Sequence, residues 1–334
     1  MRFFIITALY SLIILLPLKI HAQRIEPVNQ NASKEVRNLL DFLYQINGNY
    51  VLSGQHNYPN ELNRSSDTIN VYTGKLPAVW GSSYRGNSTL NPGMTKEAIS
   101  KHQAGYIITL MYHQPRPYDD SLGSCRNDIG DDEWKKLLTP GTKIHQTWAD
   151  DIDNIAEELK TLQQNNVPVL WRPYHEMNGG WFWWGHQQGV DGYNRLWRMM
   201  YDRFTNYHNL NNLIWVWNAN APLKRKVPMD YHLYFPGCDV VDILAADIYG
   251  GNYLQHYHDD LVALADGKII AMGEIGNAPE PVILDQQPQW TWFMMWSRFP
   301  WTKNTPEEIE ALYTHPKVIT KDELTFKKTR YHVK

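Results

Sequence analysis

Two glutamates stand at the ends of apolar runs, in contrasting surroundings. Glu176 lies in WRPYHEMNGGWFWWG (171–185), where six of fifteen residues are Trp, Tyr or Phe. Glu274 lies in AMGEIGNAP (271–279), between two glycines. An aromatic wall raises the pKa of a carboxyl by penalising its charged form. That suits Glu176 to donate a proton near neutral pH. A second carboxyl that stays ionised can attack carbon or activate water, and two such groups flanking a glycosidic bond can hydrolyse it. Glu274 is the candidate for the ionised partner. Its flanking glycines would let a substrate approach closely, and the Tyr249 hydroxyl is a candidate to aim it.

Other polar residues end apolar runs in the same way. His113 follows the third run, His175 precedes Glu176, and Asp247 and Tyr249 close the sixth. Any one of them has a commoner meaning as a strand-end group satisfied by an Arg or by backbone; several together point to a site. Neither glutamate has a cation as an immediate neighbour. HEMNG is not the zinc motif HExxH, because Gly179 stands where the second His belongs. No Cys/His spacing suggests another metal, and the nucleophile elbow GxSxG is absent. No cofactor or metal is expected. Trp181, Phe182, Trp183 and Trp184 cannot all enter one core, so at least one is expected to face a cleft.

These residues need a scaffold that brings strand ends together. Eight short runs read as buried strands: 51–55, 76–81, 105–113, 167–176, 213–218, 240–249, 268–274 and 290–296. Most are continuously apolar, as in a parallel sheet covered on both faces. Helical stripes lie between several of them: Val36, Leu39, Leu40 and Leu43; Trp148, Ile152, Ile155, Leu159 and Leu162; Tyr193, Leu196, Trp197, Met200, Tyr201 and Phe204. The pattern predicts an α/β fold, a single-domain (β/α)8 TIM barrel, with catalytic groups at the carboxyl ends of the strands. A doubly wound open sheet is the alternative, but SGQHNYPN (53–60) is not its phosphate loop. The helical signal is weakest between strands two and three and between seven and eight.

Composition narrows the partners. A net charge of −3 with no basic stripe argues against nucleic acid and anionic membrane. Fourteen Trp and twenty Tyr provide either a large aromatic core or surfaces that stack on sugar rings. Two cysteines, Cys125 and Cys238, cannot make a disulfide scaffold, though one bridge is open to them. Arg2 followed by the apolar run Phe3–Leu18 reads as a signal peptide over 1–22, cut after Ala22. The run is short for a membrane span. The expected product is a secreted or periplasmic monomer, residues 23–334, with no membrane insertion after processing.

At this point a family resemblance becomes specific. RPYHEMNGGWFWWG (172–185) is similar to the acid/base motif of glycoside hydrolase family 26, dominated by secreted β-mannanases. LSGQHN (52–57), TLMYHQP (109–115), ADIYG (246–250) and MGEIG (272–276) resemble its other strand-end motifs, in order, from about Val36 to Tyr313. The resemblance implies a retaining endo-β-1,4-mannanase acting on a β-mannan-type polysaccharide or oligosaccharide. Glu176 would be its general acid/base and Glu274 its nucleophile. His113 and His175 would bind the sugar, Trp181 would flank the leaving group, and Asp247 and Tyr249 would support the nucleophile. Trp296 would be a stacking platform, with Trp290, Trp292 and Trp301 as competitors, and Trp217 a further substrate-binding candidate. Many relatives carry an Asp after the second strand, where this chain has Ser82 and Ser83. That bears on the non-reducing side of the cleft, which the loop 118–137 could also shape. The same machinery on xylan or mixed-linkage glucan, a non-catalytic carbohydrate-binding protein and a metal hydrolase are the rival readings.

Overall fold

The computed structural model describes residues 26–86, 89–90, 93–327 and 330–334. The expected signal segment, 1–22, lies outside them. The eight apolar runs form eight parallel staves. β1 comes in two pieces, Val51–Leu52 and Gly54–His56. It is followed by β2 (Val79–Ser83), β3 (Ile107–Tyr112), β4 (Val169–Pro173), β5 (Leu213–Asn220), β6 (Ile243–Ile248), β7 (Ile269–Ile275) and β8 (Trp290–Met295). Each pairs with the next, and β8 pairs back onto β1 through Leu52–Trp292 and Gln55–Met295. The sheet is therefore closed, and the chain is a (β/α)8 TIM barrel.

Helices α1 (Lys34–Ile46), α2 (Arg64–Thr73), α3 (Met94–Gln103), α4 (Asp131–Leu137), α5 (Lys143–Gln164), α6 (Tyr193–Asp202), α7 (Gln255–Ala265), α8 (Pro281–Gln286), α9 (Phe299–Thr302) and α10 (Pro306–Tyr313) surround it. The predicted stripes of α1 and α5 are buried, as is that of α6 with Phe204 just past its end, except for the half-buried Tyr201. The missing helix falls elsewhere than expected. α3 does fill the gap between β2 and β3, whereas β5 and β6 are joined by a loop holding one 3-10 turn, Tyr231–Leu233. Pro222, Pro228 and Pro236 interrupt helix formation there.

Alternation along the staves decides which side chains enter the barrel. Leu52, Val79, Ile107, Leu170, Ile214, Val216, Ile243, Ala245, Ile269, Ala271, Trp292 and Met294 share one buried cluster with the apolar face of α1, which plugs the amino-terminal end. Continuing the same inward parity upward gives His56, Ser83, Arg172, Asn218, Asn220 and Asp247. The lower interior is thus apolar and the upper interior polar. No helix of the described residues is long and apolar enough to cross a membrane. Cys125 and Cys238 are free thiols.

Candidate active site

The carboxyl ends of β4 and β7 bring the two glutamates together. One carboxylate oxygen each from Glu176, Glu274 and Asp247 lies within 4.8 Å of the others. Two local devices aim the pair. In the turn after β4, Tyr174 and Glu176 adopt left-handed φ values of 47° and 54°, a conformation costing of order 1–3 kcal/mol per non-glycine residue. On β7, Met272 pairs with Ala246 and Glu274 with Asp247, so Gly273 is an extra residue, a bulge that turns Glu274 inward. A Cβ at Gly273 would sit 1.9 Å from Asn218 Oδ1, and one at Gly276 would sit 2.7 Å from the Tyr249 ring. These glycines therefore admit neighbouring side chains; close approach of a substrate is not what requires them.

The aromatic patch explains how the β4 turn is held. Trp184 Nε1 donates to the His175 carbonyl at 2.8 Å, and Trp183 Nε1 to the Gln114 carbonyl at 2.9 Å. Trp148 Nε1 donates to the Tyr174 hydroxyl, and the Glu176 amide to the Asn218 carbonyl. Phe182, Trp183 and Trp184 are buried, and Phe182 stacks on Trp184. Trp181 alone of the four is half-exposed at the cleft. Its indole lies flat on residue 179, where a Cβ would fall 2.1 Å from the ring. Glycine at 179 is a packing requirement of that indole.

The carboxylates differ in their partners. Glu176 accepts from Trp181 Nε1 at 2.6 Å and Asn220 Nδ2 at 2.9 Å. Burial first, and repulsion from Glu274 second, push its pKa up to about 7. Glu274 accepts from Arg172 at 2.6 Å and the Tyr249 hydroxyl at 2.5 Å. Burial raises its pKa too, but the Arg172 charge and the Tyr249 hydrogen bond pull against that rise. Asp247 accepts from Asn218 Nδ2, while its second oxygen is buried without a partner. Burial and the two glutamates hold its pKa well above the carboxylate range. A proton on Asp247 is the natural resolution. Three acidic oxygens so close could in principle meet a cation. Yet both oxygens of each glutamate already accept from a donor, and Arg172 supplies the positive charge.

The histidines line the floor. His113 is half-buried, its Nδ1 is 3.1 Å from Ser83 Oγ, and its ring meets that of His175 edge-on. Burial, then Arg126 and Arg172, lower the His113 pKa to about 4, so it is neutral at pH 7. His175 is buried, with Nε2 3.9 Å from Glu274. Trp296 is half-buried and stacks on His56 with ring centres 4.1 Å apart. Its competitors Trp290 and Trp292 are fully buried, and Trp301 lies under Arg64. Ser82 bonds to the Asn57 carbonyl, leaving Ser83 as the stave-end residue beside His113. Beside Glu176 opens a cavity of about 350 Å³, lined by Trp181, Asn220, Tyr249, Asn252, Arg126 and Arg225 among others.

Trp217 must be corrected: it does not reach the cleft. It sits between inward-facing Val216 and Asn218, so its indole points outward. There it is fully buried against Tyr231 and Phe235 and donates to the Tyr234 carbonyl. The residues overlooked in the sequence are Arg172, Asn218, Asn220 and His56. Each is a polar residue at an inward position of its stave, and that parity was the signal that could have found them.

Residues 28–323 match the family model described as glycosyl hydrolase family 26. The chain belongs to that family. Its relatives include a mannan endo-1,4-β-mannosidase of Thermothelomyces thermophilus, 34% identical across 89% of this chain. Another, from Bacillus subtilis, is 28% identical, with 96% of this chain and 94% of the relative aligned. The chain spans 62% of the length of the Thermothelomyces protein and 50% of that of a Piromyces mannan endo-1,4-β-mannosidase A. Among solved structures, GH26A from Muricauda sp. MAR_2010_75 superposes with a TM-score of 0.86 at 47% identity, covering 89% of this chain and all of that one. A Podospora anserina GH26-CBM35 β-(1,4)-mannanase gives 0.77 at 34% identity, covering 89% and 68%.

Proposed function

We propose that this family 26 chain is a secreted, monomeric, retaining endo-β-1,4-mannanase. The single observation that carries the mechanism is the proximity of the Glu176 and Glu274 oxygens, within 4.8 Å. Retaining glycosidases hold their carboxyls about 5–5.5 Å apart, against roughly 6.5–9.5 Å where a water must fit between them. Glu274 Oε attacks the anomeric carbon while protonated Glu176 gives its proton to the departing glycosidic oxygen. A glycosyl ester on Glu274 results. Glu176, now ionised, takes a proton from water, whose oxygen attacks the same carbon and releases Glu274. Arg172 and Tyr249 keep Glu274 ionised and aimed; Trp181 and Asn220 hold Glu176. His113, His175 and the Trp296 ring bind the sugar over Glu274.

The mannan specificity is supported by the chain's similarity to mannan endo-1,4-β-mannosidases. The proposal of secretion rests on the apolar run Phe3–Leu18 after Arg2. Product analysis on linear mannan, galactomannan, xylan and mixed-linkage glucan tests the substrate. Release of mannooligosaccharides of several lengths from mannan is expected. Faster release from xylan or mixed-linkage glucan would overturn the assignment.

A further inference from the structure

The charge around the cleft is not used by the reaction. Arg126, from the loop after β3, and Arg225, from the loop after β5, both line the cavity beside Glu176, which is the single acidic side chain in that lining. Lys224 and Lys226 flank Arg225 in a chain whose net charge is −3. Both arginines are exposed, and among the described residues neither forms an ion pair. Other surface arginines do: Arg64 with Glu61, Arg195 with Asp191 and Arg198 with Asp239. Arg126 is also held in place, its guanidinium 5.3 Å from the centre of the Phe182 ring. Its charge reaches the catalytic floor, where it is the next cause after burial of the lowered His113 pKa.

We propose that Arg126 and Arg225 form an anion subsite on the leaving-group side of the cleft, which takes a carboxylate carried by the sugar chain. This rests on the catalytic roles given above. The cavity is lined by Glu176 and Trp181 but not by Glu274, His56 or Trp296. The sugar attacked by Glu274 lies outside it, and the departing sugars, which must meet Glu176, lie within it. A neutral mannan could accept hydrogen bonds from these guanidinium groups but would leave their positive charge without a counter-ion. A carboxylate matches their planar, paired donors, as a single point charge would not.

The test compares two derivatives of one oligosaccharide, mannopentaose oxidised at its reducing end to the aldonate and reduced there to the alditol. Both have an open terminal sugar and differ in charge. The wild-type chain is expected to show about fivefold higher kcat/KM on the aldonate at low ionic strength, the scale of one or two exposed ion pairs. Sodium chloride at about 0.5 M should erase the difference. In R126Q/R225Q the ratio should fall to near one, and R126K/R225K should recover part of it. A wild-type ratio near one, or a ratio unchanged in R126Q/R225Q, overturns the subsite. Hydrolysis of the alditol separates the two readings. If it is cleaved and the ratio is one, the anion subsite alone falls; if neither derivative is cleaved, the proposed function falls with it.

Discussion

At the scale of residues, chemistry at this site is set by which donors each carboxyl has. Glu176 and Glu274 share one buried space, but of the two only Glu274 is hydrogen-bonded to a cation, Arg172. The pH profile of kcat/KM should therefore be bell-shaped. Its alkaline limb follows loss of the Glu176 proton and lies near pH 7. Its acid limb follows protonation of Glu274. Tyr249→Phe removes a hydrogen bond that favours ionised Glu274, so the acid limb should move to higher pH. The optimum narrows, and kcat should fall about 10–100-fold, the scale of one hydrogen bond to a charged group. An acid limb unmoved by Tyr249→Phe would sink that role for the hydroxyl. The two glutamates were legible because each ends a stave in unusual company. Arg172 was not, because its partner is 102 residues away in sequence. Trp217 misled because its residue type was weighed without the alternation of its stave, in which Val216 and Asn218 face inward.

At the scale of elements, aim depends on irregularities, and these are what sequence patterns report least. Runs of apolar residues announced all eight staves. Nothing in GEIG announced that Gly273 is a bulge, because a bulge is defined by the register of the neighbouring strand. Gly273→Ala would drive a methyl group into Asn218, which itself holds Asp247. A destabilisation of about 1–3 kcal/mol is expected from such overpacking. kcat should fall by about 100-fold as Glu274 shifts, with KM changed little. Urea unfolding and steady-state kinetics on the same preparation check both. Normal kcat in a destabilised variant would mean that the bulge supports the fold without aiming Glu274. The β4 turn shows the converse relation. Its aromatic cluster was visible, and its purpose, to hold a left-handed Glu176, appears only once Trp183 and Trp184 are seen donating to backbone carbonyls.

At the scale of the whole molecule, an apolar plug formed by α1 and the lower staves supports a polar upper interior with three acidic groups and one arginine. That upper layer works against stability. The folded-state pKa of Glu176 is raised above its unfolded value, so the native state holds the extra proton. Its favourable contribution is present at low pH and lost as pH rises from the usual carboxylate range towards about 7. Glu176→Gln, whose amide can still meet Trp181 and Asn220, should raise Tm at pH 8 and change it less at pH 5. An equal change at both pH values would contradict that charge linkage. The central claim, that Glu274 attacks carbon while Glu176 handles the proton, is tested most directly by the configuration of the first product. In proton NMR of β-mannooligosaccharide hydrolysis, the β-anomer should appear first and mutarotate slowly to the equilibrium mixture. Initial appearance of the α-anomer would contradict direct attack and the two roles derived from it.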